Sequence, residues 1–215
     1  MSARKPTIAD VASAAGVSKG LVSFALNDKP GVAADTRNRI LAVADDLGWR
    51  PSLSARSLST RTSFALGLVI RREAEVIGAD PFFPSFIAGV ESVLSERGRA
   101  LVLSVVPDGV AELATYRTLA GDNRVDGVFL TDLRHNDQRF ALVEELGLPA
   151  VALGHPASNV KFPFVELDDT SGIQAAVEHL ISLGHTRIGH VAGDPEMIHG
   201  GRRRESFADA MRAAG

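Results

Sequence analysis

Along the first fifty residues, apolar positions recur three or four apart. Ile8, Val11, Ala12 and Ala15 share one face of a short helix that Thr7 can cap. Gly16 can stop that helix, because glycine takes positive φ without a Cβ penalty. Val17 plugs the turn, and Ser18 can cap a second helix from Lys19 to Leu26. Its Leu21, Val22 and Ala25 point inward, while Lys19, Gly20, Ser23 and Phe24 lie on the outer side. Asn27-Asp28-Lys29-Pro30-Gly31 marks a turn. A third helix, about Ala34 to Leu47, turns Ile40, Leu41, Ala44 and Leu47 toward the first two, and Gly48 ends it. Two short helices joined by a glycine-containing turn and backed by a third make the helix-turn-helix pattern.

The period changes after residue 62. Phe64–Ile70, Ala100–Val105, Gly127–Thr131, Ala150–Leu153, Phe164–Leu167 and Arg187–Ala192 are apolar runs of strand length. Helical patterns fall between them: Phe86 to Arg97, with Ile87, Val90, Val93 and Leu94 inward, then near Ala111–Ala120, Gln138–Leu146, Thr170–Leu183 and Arg202–Ala214. Unbroken aliphatic strands alternating with amphipathic helices predict a parallel, doubly wound sheet covered on both faces. Between the two regions, Pro51 presets the chain, Ser52 can cap, and Leu53 to Leu58 can make one or two helical turns. So short a helix is marginal in water without a partner, because nucleation is costly.

Composition narrows the function classes. The chain has 215 residues, 45% hydrophobic and 23% charged, an ordinary globular balance. It has no cysteine, so no disulfide or thiolate metal site, and its six histidines show no zinc-binding spacing. No apolar run approaches the roughly 20 residues that span a bilayer, and the N-terminus lacks a signal-peptide core, so a cytoplasmic location is expected. The net charge of −3 conceals an asymmetry. Residues 1–62 carry nine Lys and Arg against five Asp and Glu, a net of +4; the remainder carries fourteen against twenty-one, a net of −7. A basic head on an acidic body suits a chain that meets a polyanion with its first segment alone.

The strand ends, where ligands bind in such sheets, offer no GxGxxG, GxxxxGK[ST] or GxSxG. No catalytic residue, cofactor or metal is therefore expected, and the chain reads as a non-enzyme. Asp168-Asp169 could be a carboxylate pair, but adjacent acids ahead of a helix more simply cap it. Arg202-Arg203-Arg204 could be a second nucleic-acid patch; one inward and two solvated arginines is the plainer account.

Several strings are more specific than the periodicity. Thr7-Ile8-Ala9-Asp10-Val11-Ala12, Ala15-Gly16-Val17-Ser18, Val22-Ser23, Leu26-Asn27, Thr36-Arg37 and Leu47-Gly48-Trp49-Arg50-Pro51 closely resemble the headpiece of the LacI/GalR repressor family, which usually has Tyr in place of Trp49. The resemblance continues through Asp80-Pro81-Phe82-Phe83, Val125-Asp126-Gly127-Val128, His179-Leu180, Gly184-His185, and Arg203 with Phe207. It implies a DNA-binding headpiece over residues 1–50, a hinge over 51–62, and a two-lobed, periplasmic-binding-protein-like domain over 63–215 that binds effector and dimerises. The first lobe would have four strands; the second would have two strands and two helices and be incomplete at Gly215, leaving an exposed sheet edge and weak effector binding.

The same resemblance assigns residues. The second helix would lie in the major groove of operator DNA with its outward N-terminal residues at base edges. Lys19, Gly20 and Phe24 would meet bases, with Lys19 suited to guanine and Phe24 to a thymine methyl. Ser18 and Ser23 would meet phosphates, and Thr7 and Asn27 complete the headpiece set. The family more often has Arg at Phe24 and a longer polar residue at Gly20, and Phe24 could instead be a core aromatic. In the hinge, Ala55, Arg56 and Leu58 would bind DNA, with Leu58 wedged between base steps in the minor groove. Effector would meet Phe82, Phe83, Met197, His199 and Arg203. The family's usual Asn is Asp80 here, and Ser206 stands where a Gly normally precedes Phe207. The partners implied are double-stranded operator DNA, a sugar or related metabolite, and a second copy of the chain; the protein would act as an effector-responsive repressor associated with the nucleoid. The alternative is a sugar-binding module without regulatory DNA specificity. A transport-type binding protein would need a secretion signal, and a non-specific architectural DNA binder would show no operator preference.

Overall fold

The computed structural model describes residues 4–50, 57, 60 and 62–215. The chain divides into two compact units, with the boundary between Thr62 and Ser63.

The first unit is a three-helix cluster: α1 (Ile8–Ala15), α2 (Lys19–Leu26) and α3 (Ala34–Asp46). Its boundaries follow from local chemistry. The Asp10 carboxylate accepts from the Thr7 N–H at 2.8 Å and the Thr7 hydroxyl at 2.7 Å, closing the start of α1. Gly16 ends α1 at φ 63°, and the Val17 N–H reaches back to the Ala12 carbonyl at 3.0 Å. Ser18 Oγ accepts from the Leu21 N–H at 3.2 Å and caps α2. Val11, Ala12, Ala15, Val22, Ala25, Ile40 and Ala44 form the core. Leu41 and Leu47 do not join it and are exposed. After Gly48 turns the chain at φ 62°, the Trp49 N–H bonds the Ala44 carbonyl at 2.8 Å, and the indole takes the place expected of Leu47.

The second unit is α/β, with β1 (Ala65–Arg71), α4 (Ala74–Ala79), α5 (Phe82–Glu96), β2 (Ala100–Val106), α6 (Gly109–Gly121), β3 (Val128–Leu130), α7 (Gln138–Glu145), β4 (Ala150–Leu153), β5 (Phe164–Val165), α8 (Asp169–Ser182) and α9 (Ile198–Ala214). The five strands form one sheet in the order β2-β1-β3-β4-β5, and every pair is parallel. β1 shows the two-faced burial that such a sheet demands. Val69 faces one cluster with Tyr116 and Leu119 of α6 and Phe140 and Val143 of α7. Leu68 and Ile70 face the other, with Phe83, Phe86 and Ile87 of α5. Close approach between strands needs glycine at position 127, where a Cβ would lie 2.9 Å from the Pro149 carbonyl oxygen.

The α/β unit departs from expectation in four places. β5 pairs with β4, so residues 164–165 belong to the same sheet as the first four strands and not to a second one. Residues 187–192 form no strand, because an apolar run becomes a strand only where a neighbouring edge accepts its backbone groups; Val191 is 97% exposed. α4 was not expected, being only six residues long. Val93 of α5 faces outward, leaving Leu94 as the buried residue of that turn.

Candidate nucleic-acid interface and ligand cavity

On α2, the outward face presents Lys19 and Gly20 in the first turn and Phe24 one turn later. Phe24 is 45% exposed and lies outside the headpiece core; the Lys29 ammonium stands 5.4 Å from its ring centroid. A Cβ at Gly20 would meet only Ser18 Oγ, at 3.8 Å, so the helix surface is open there. The other headpiece positions are engaged in holding the motif. The Thr7 hydroxyl donates to Asp10, and Ser18 Oγ serves the α2 cap. Asn27 Nδ2 donates to the Ser23 carbonyl at 2.9 Å and lies 3.4 Å from its hydroxyl. Arg37 pairs with Asp28 and donates to the Lys29 carbonyl at 2.8 Å, fixing the turn after α2. Ala55, Arg56 and Leu58 lie outside the described residues.

In the α/β unit, a cavity of about 200 Å³ opens beyond the carboxyl ends of β1, β3 and β4. Strand order reverses between β1 and β3, the point where open α/β sheets leave a crevice. Arg72, directly after β1, forks onto Asp132, two residues past the end of β3, through Nε at 2.7 Å and Nη2 at 2.8 Å. Its guanidinium also lies 3.7 Å from Asp80, and the Asp132 bonds hold its pKa above the usual arginine value. On the facing wall, Arg203 of α9 donates to Asp169 through Nε at 2.8 Å and Nη2 at 2.6 Å, and Arg202 pairs with Glu166 at 2.7 Å. His199 lines the cavity half-buried, and burial holds its imidazole below the usual histidine pKa. Phe82 adds an aromatic wall, stacked on Phe86 with centroids 5.7 Å apart.

Phe82, His199 and Arg203 therefore share one cavity, whereas two other expected residues do not line it. Phe83 is fully buried against Leu68 and Ile70, because consecutive helical residues point about 100° apart and only one can face the cleft. Met197 pairs through its backbone with Arg134, and its sulfur lies 3.8 Å from Arg72 Nη2. Asp168 caps α8, accepting from the Ser171 N–H at 3.0 Å and its hydroxyl at 2.6 Å; these bonds hold its carboxyl below the usual range. Among the described residues no cluster of three metal-ligating side chains occurs. The Ser206 hydroxyl donates to the Thr170 carbonyl at 2.9 Å and so ties α9 to α8. Sequence reasoning passed over Arg72 and Asp132, and read Asp169 only as one of a pair of helix-capping acids, whereas it accepts from Arg203. For the first two a signal existed: each is a charged residue standing within two residues of the end of an apolar strand.

The polar groups of the cavity come as arginine–carboxylate pairs, setting donors beside acceptors at two positions. Hydroxyl groups, which both donate and accept, match that arrangement.

Comparison with known proteins places both units. Residues 7–52 match the family model described as bacterial regulatory proteins, lacI family. Residues 63–215 match periplasmic binding proteins and sugar binding domain of LacI family. The HTH-type transcriptional regulator CelR of Thermobifida fusca is 34% identical over 214 residues, covering 99% of this chain and 63% of the relative. A solved CelR–cellobiose complex is similar with a TM-score of 0.64 at 32% identity, over 98% of this chain and 62% of that one. The lac repressor dimer bound to operator and the anti-inducer ONPF shares the fold, with a TM-score of 0.76 at 23% identity over 98% of this chain and 63% of that one. The chain thus spans less than two thirds of the length of these relatives. Among the described residues no single helix is long and apolar enough to cross a membrane.

Proposed function

Because the chain belongs to the LacI family of bacterial regulatory proteins, we propose that it is a sequence-specific DNA-binding transcriptional regulator, a repressor of carbohydrate or related metabolic genes whose operator affinity is set by a small effector. It acts in the cytoplasm, at the nucleoid, and carries out no catalysis of its own. The observation that carries this reading is the exposed face of α2, where Lys19, Gly20 and Phe24 are free of the headpiece core while the caps and the Arg37 turn hold the helix rigid. In the major groove Lys19 donates to guanine O6 or N7, and Phe24 packs on a thymine methyl, with Gly20 admitting close approach. Ser18 and Ser23 meet phosphates, with Thr7 and Asn27 beside them; Ala55, Arg56 and the Leu58 wedge act from the hinge.

The effector is a sugar or related metabolite held by Arg203, His199 and Phe82, together with the Arg72–Asp132 pair. The relative whose solved complex contains cellobiose supports that chemistry. Dimerisation is supported by β2, an edge strand whose Leu103 and Val105 are exposed. Two headpieces then read a pseudo-palindrome, and effector shifts the population between lobe arrangements that favour or disfavour paired hinges.

Selection of binding sites from random DNA tests the reading. A half-site repeated with two-fold symmetry is expected, and Lys19→Ala should weaken binding to the selected site by about 1–3 kcal/mol with little change on random DNA. Equal affinity for selected and random duplexes at fixed salt would sink the assignment and leave a sugar-binding module or a non-specific DNA binder.

A further inference from the structure

Next to the cavity lies a buried ionic cluster that the functional reading does not use. Arg139, in the first turn of α7, is 2% exposed, and Glu112 of α6 is 3% exposed. All five guanidinium donors of Arg139 are engaged. Nε and Nη2 fork onto Asp137 at 2.8 and 2.6 Å, and Nη1 donates to Glu112 at 3.1 Å. The remaining two reach main-chain carbonyls: Thr131 at 2.9 Å and Asp132 at 3.1 Å. Arg134 supports the same carboxylate, its Nη1 lying 3.3 Å from Glu112.

Those two carbonyls belong to the residues that carry the end of β3 into the cavity. Asp132 stands there at φ 51°, a left-handed conformation that a residue with a side chain rarely adopts. The loop continues into the facing wall. The Leu133 carbonyl accepts from the Ile198 N–H at 2.9 Å, and the His135 N–H donates to the Glu196 carbonyl at 3.1 Å. The first turn of α9, which bears His199, is thereby tied to the β3 end.

We propose that Arg139 is a positioning residue for the ligand cavity. It grips the main chain at Thr131 and Asp132, keeps Asp132 in its left-handed conformation so that the carboxylate meets Arg72, and through the same loop holds the start of α9 against the β3 end. Arg139 acts through Asp132 and never touches ligand. A lysine could supply the charge but not five donors in a planar fork. The inference rests on reading the cavity as the effector site.

The test uses Arg139→Lys and the milder Asp137→Asn, which loosens the fork while leaving the helix cap an oxygen. Hydrogen exchange in peptides 131–137 and 195–201 is expected to accelerate about tenfold or more, while peptides over β1 and β2 keep their rates. Uniform acceleration, or none in the loop, overturns the proposal. With cellobiose as the probe in calorimetry, Arg139→Lys should weaken binding about tenfold and add little to the loss already caused by Asp132→Ala. Additive losses would likewise overturn it. If wild type does not bind cellobiose, that sugar is excluded as effector, and the exchange pattern alone judges Arg139.

Discussion

Asp126 shows how much one carboxylate organises. Its oxygens accept from the Ser63 N–H at 2.6 Å, the Ser63 hydroxyl at 2.8 Å and the Phe64 N–H at 3.0 Å, and pair with Arg99 at 2.8 Å. Phe64 sits at φ 57°, so these bonds hold a backbone conformation that would otherwise relax. Burial alone would raise the Asp126 pKa, but the Ser63, Arg99 and Phe64 hydrogen bonds outweigh it and hold the carboxyl below the usual range. A depressed folded-state pKa contributes stability above the unfolded value, near 4, that is lost as pH falls through the folded value. Asp126→Asn should therefore cost about 1–3 kcal/mol at neutral pH, and thermal denaturation should show the wild-type advantage shrinking below about pH 4. An advantage constant from neutral pH to pH 3 would contradict this account. The residue scale is also where sequence reading lost most. Phe82 and Phe83 are alike in composition and adjacent in the chain, and only helical rotation decides that one lines the cavity and the other is core.

At the scale of elements, the headpiece was legible because its boundaries are written in short-range chemistry. Thr7, Gly16 and Ser18 act within four residues of themselves, and the helices they delimit begin and end where the pattern places them. Strands are different, since their pairing depends on residues far along the chain. The run at 187–192 has strand composition yet pairs with nothing among the described residues, and β5 joins an edge that no local pattern announces. Two glycines separate fold from function at this scale. Gly127→Ala pushes a methyl group onto the Pro149 carbonyl and should destabilise the α/β unit by about 1–3 kcal/mol in denaturant titration. Gly20→Ala meets open space within α2, so it should leave headpiece melting unchanged or raise its stability by up to about 1 kcal/mol through helix propensity, and alter the choice among DNA half-sites. A large loss of headpiece stability in Gly20→Ala would show that the position serves packing and not recognition.

For the whole molecule, the charge division between residues 1–62 and the remainder coincides with the division into compact units, so one unit is basic and the other acidic. The proposed dimer belongs to this scale. Leu103→Glu with Val105→Glu places charges on the exposed edge strand, where they cost the monomer little. Sedimentation equilibrium should then show monomers, with operator affinity reduced because a single headpiece reads only a half-site. Dimers that persist unchanged would move the interface elsewhere on the chain.

The chain has one tryptophan and one tyrosine, and the boundary falls between them. Trp49 packs on the headpiece core, while Tyr116 is enclosed in the α/β unit, where burial pushes its hydroxyl up to about 12. Nature has thus installed a separate optical probe in each body. Indole emission should report the melting of the headpiece, and phenol absorbance that of the other unit. The residues that line the cavity include no tryptophan, so a change in indole emission on adding a ligand of the proposed effector class would signal that occupancy of one unit is felt in the other.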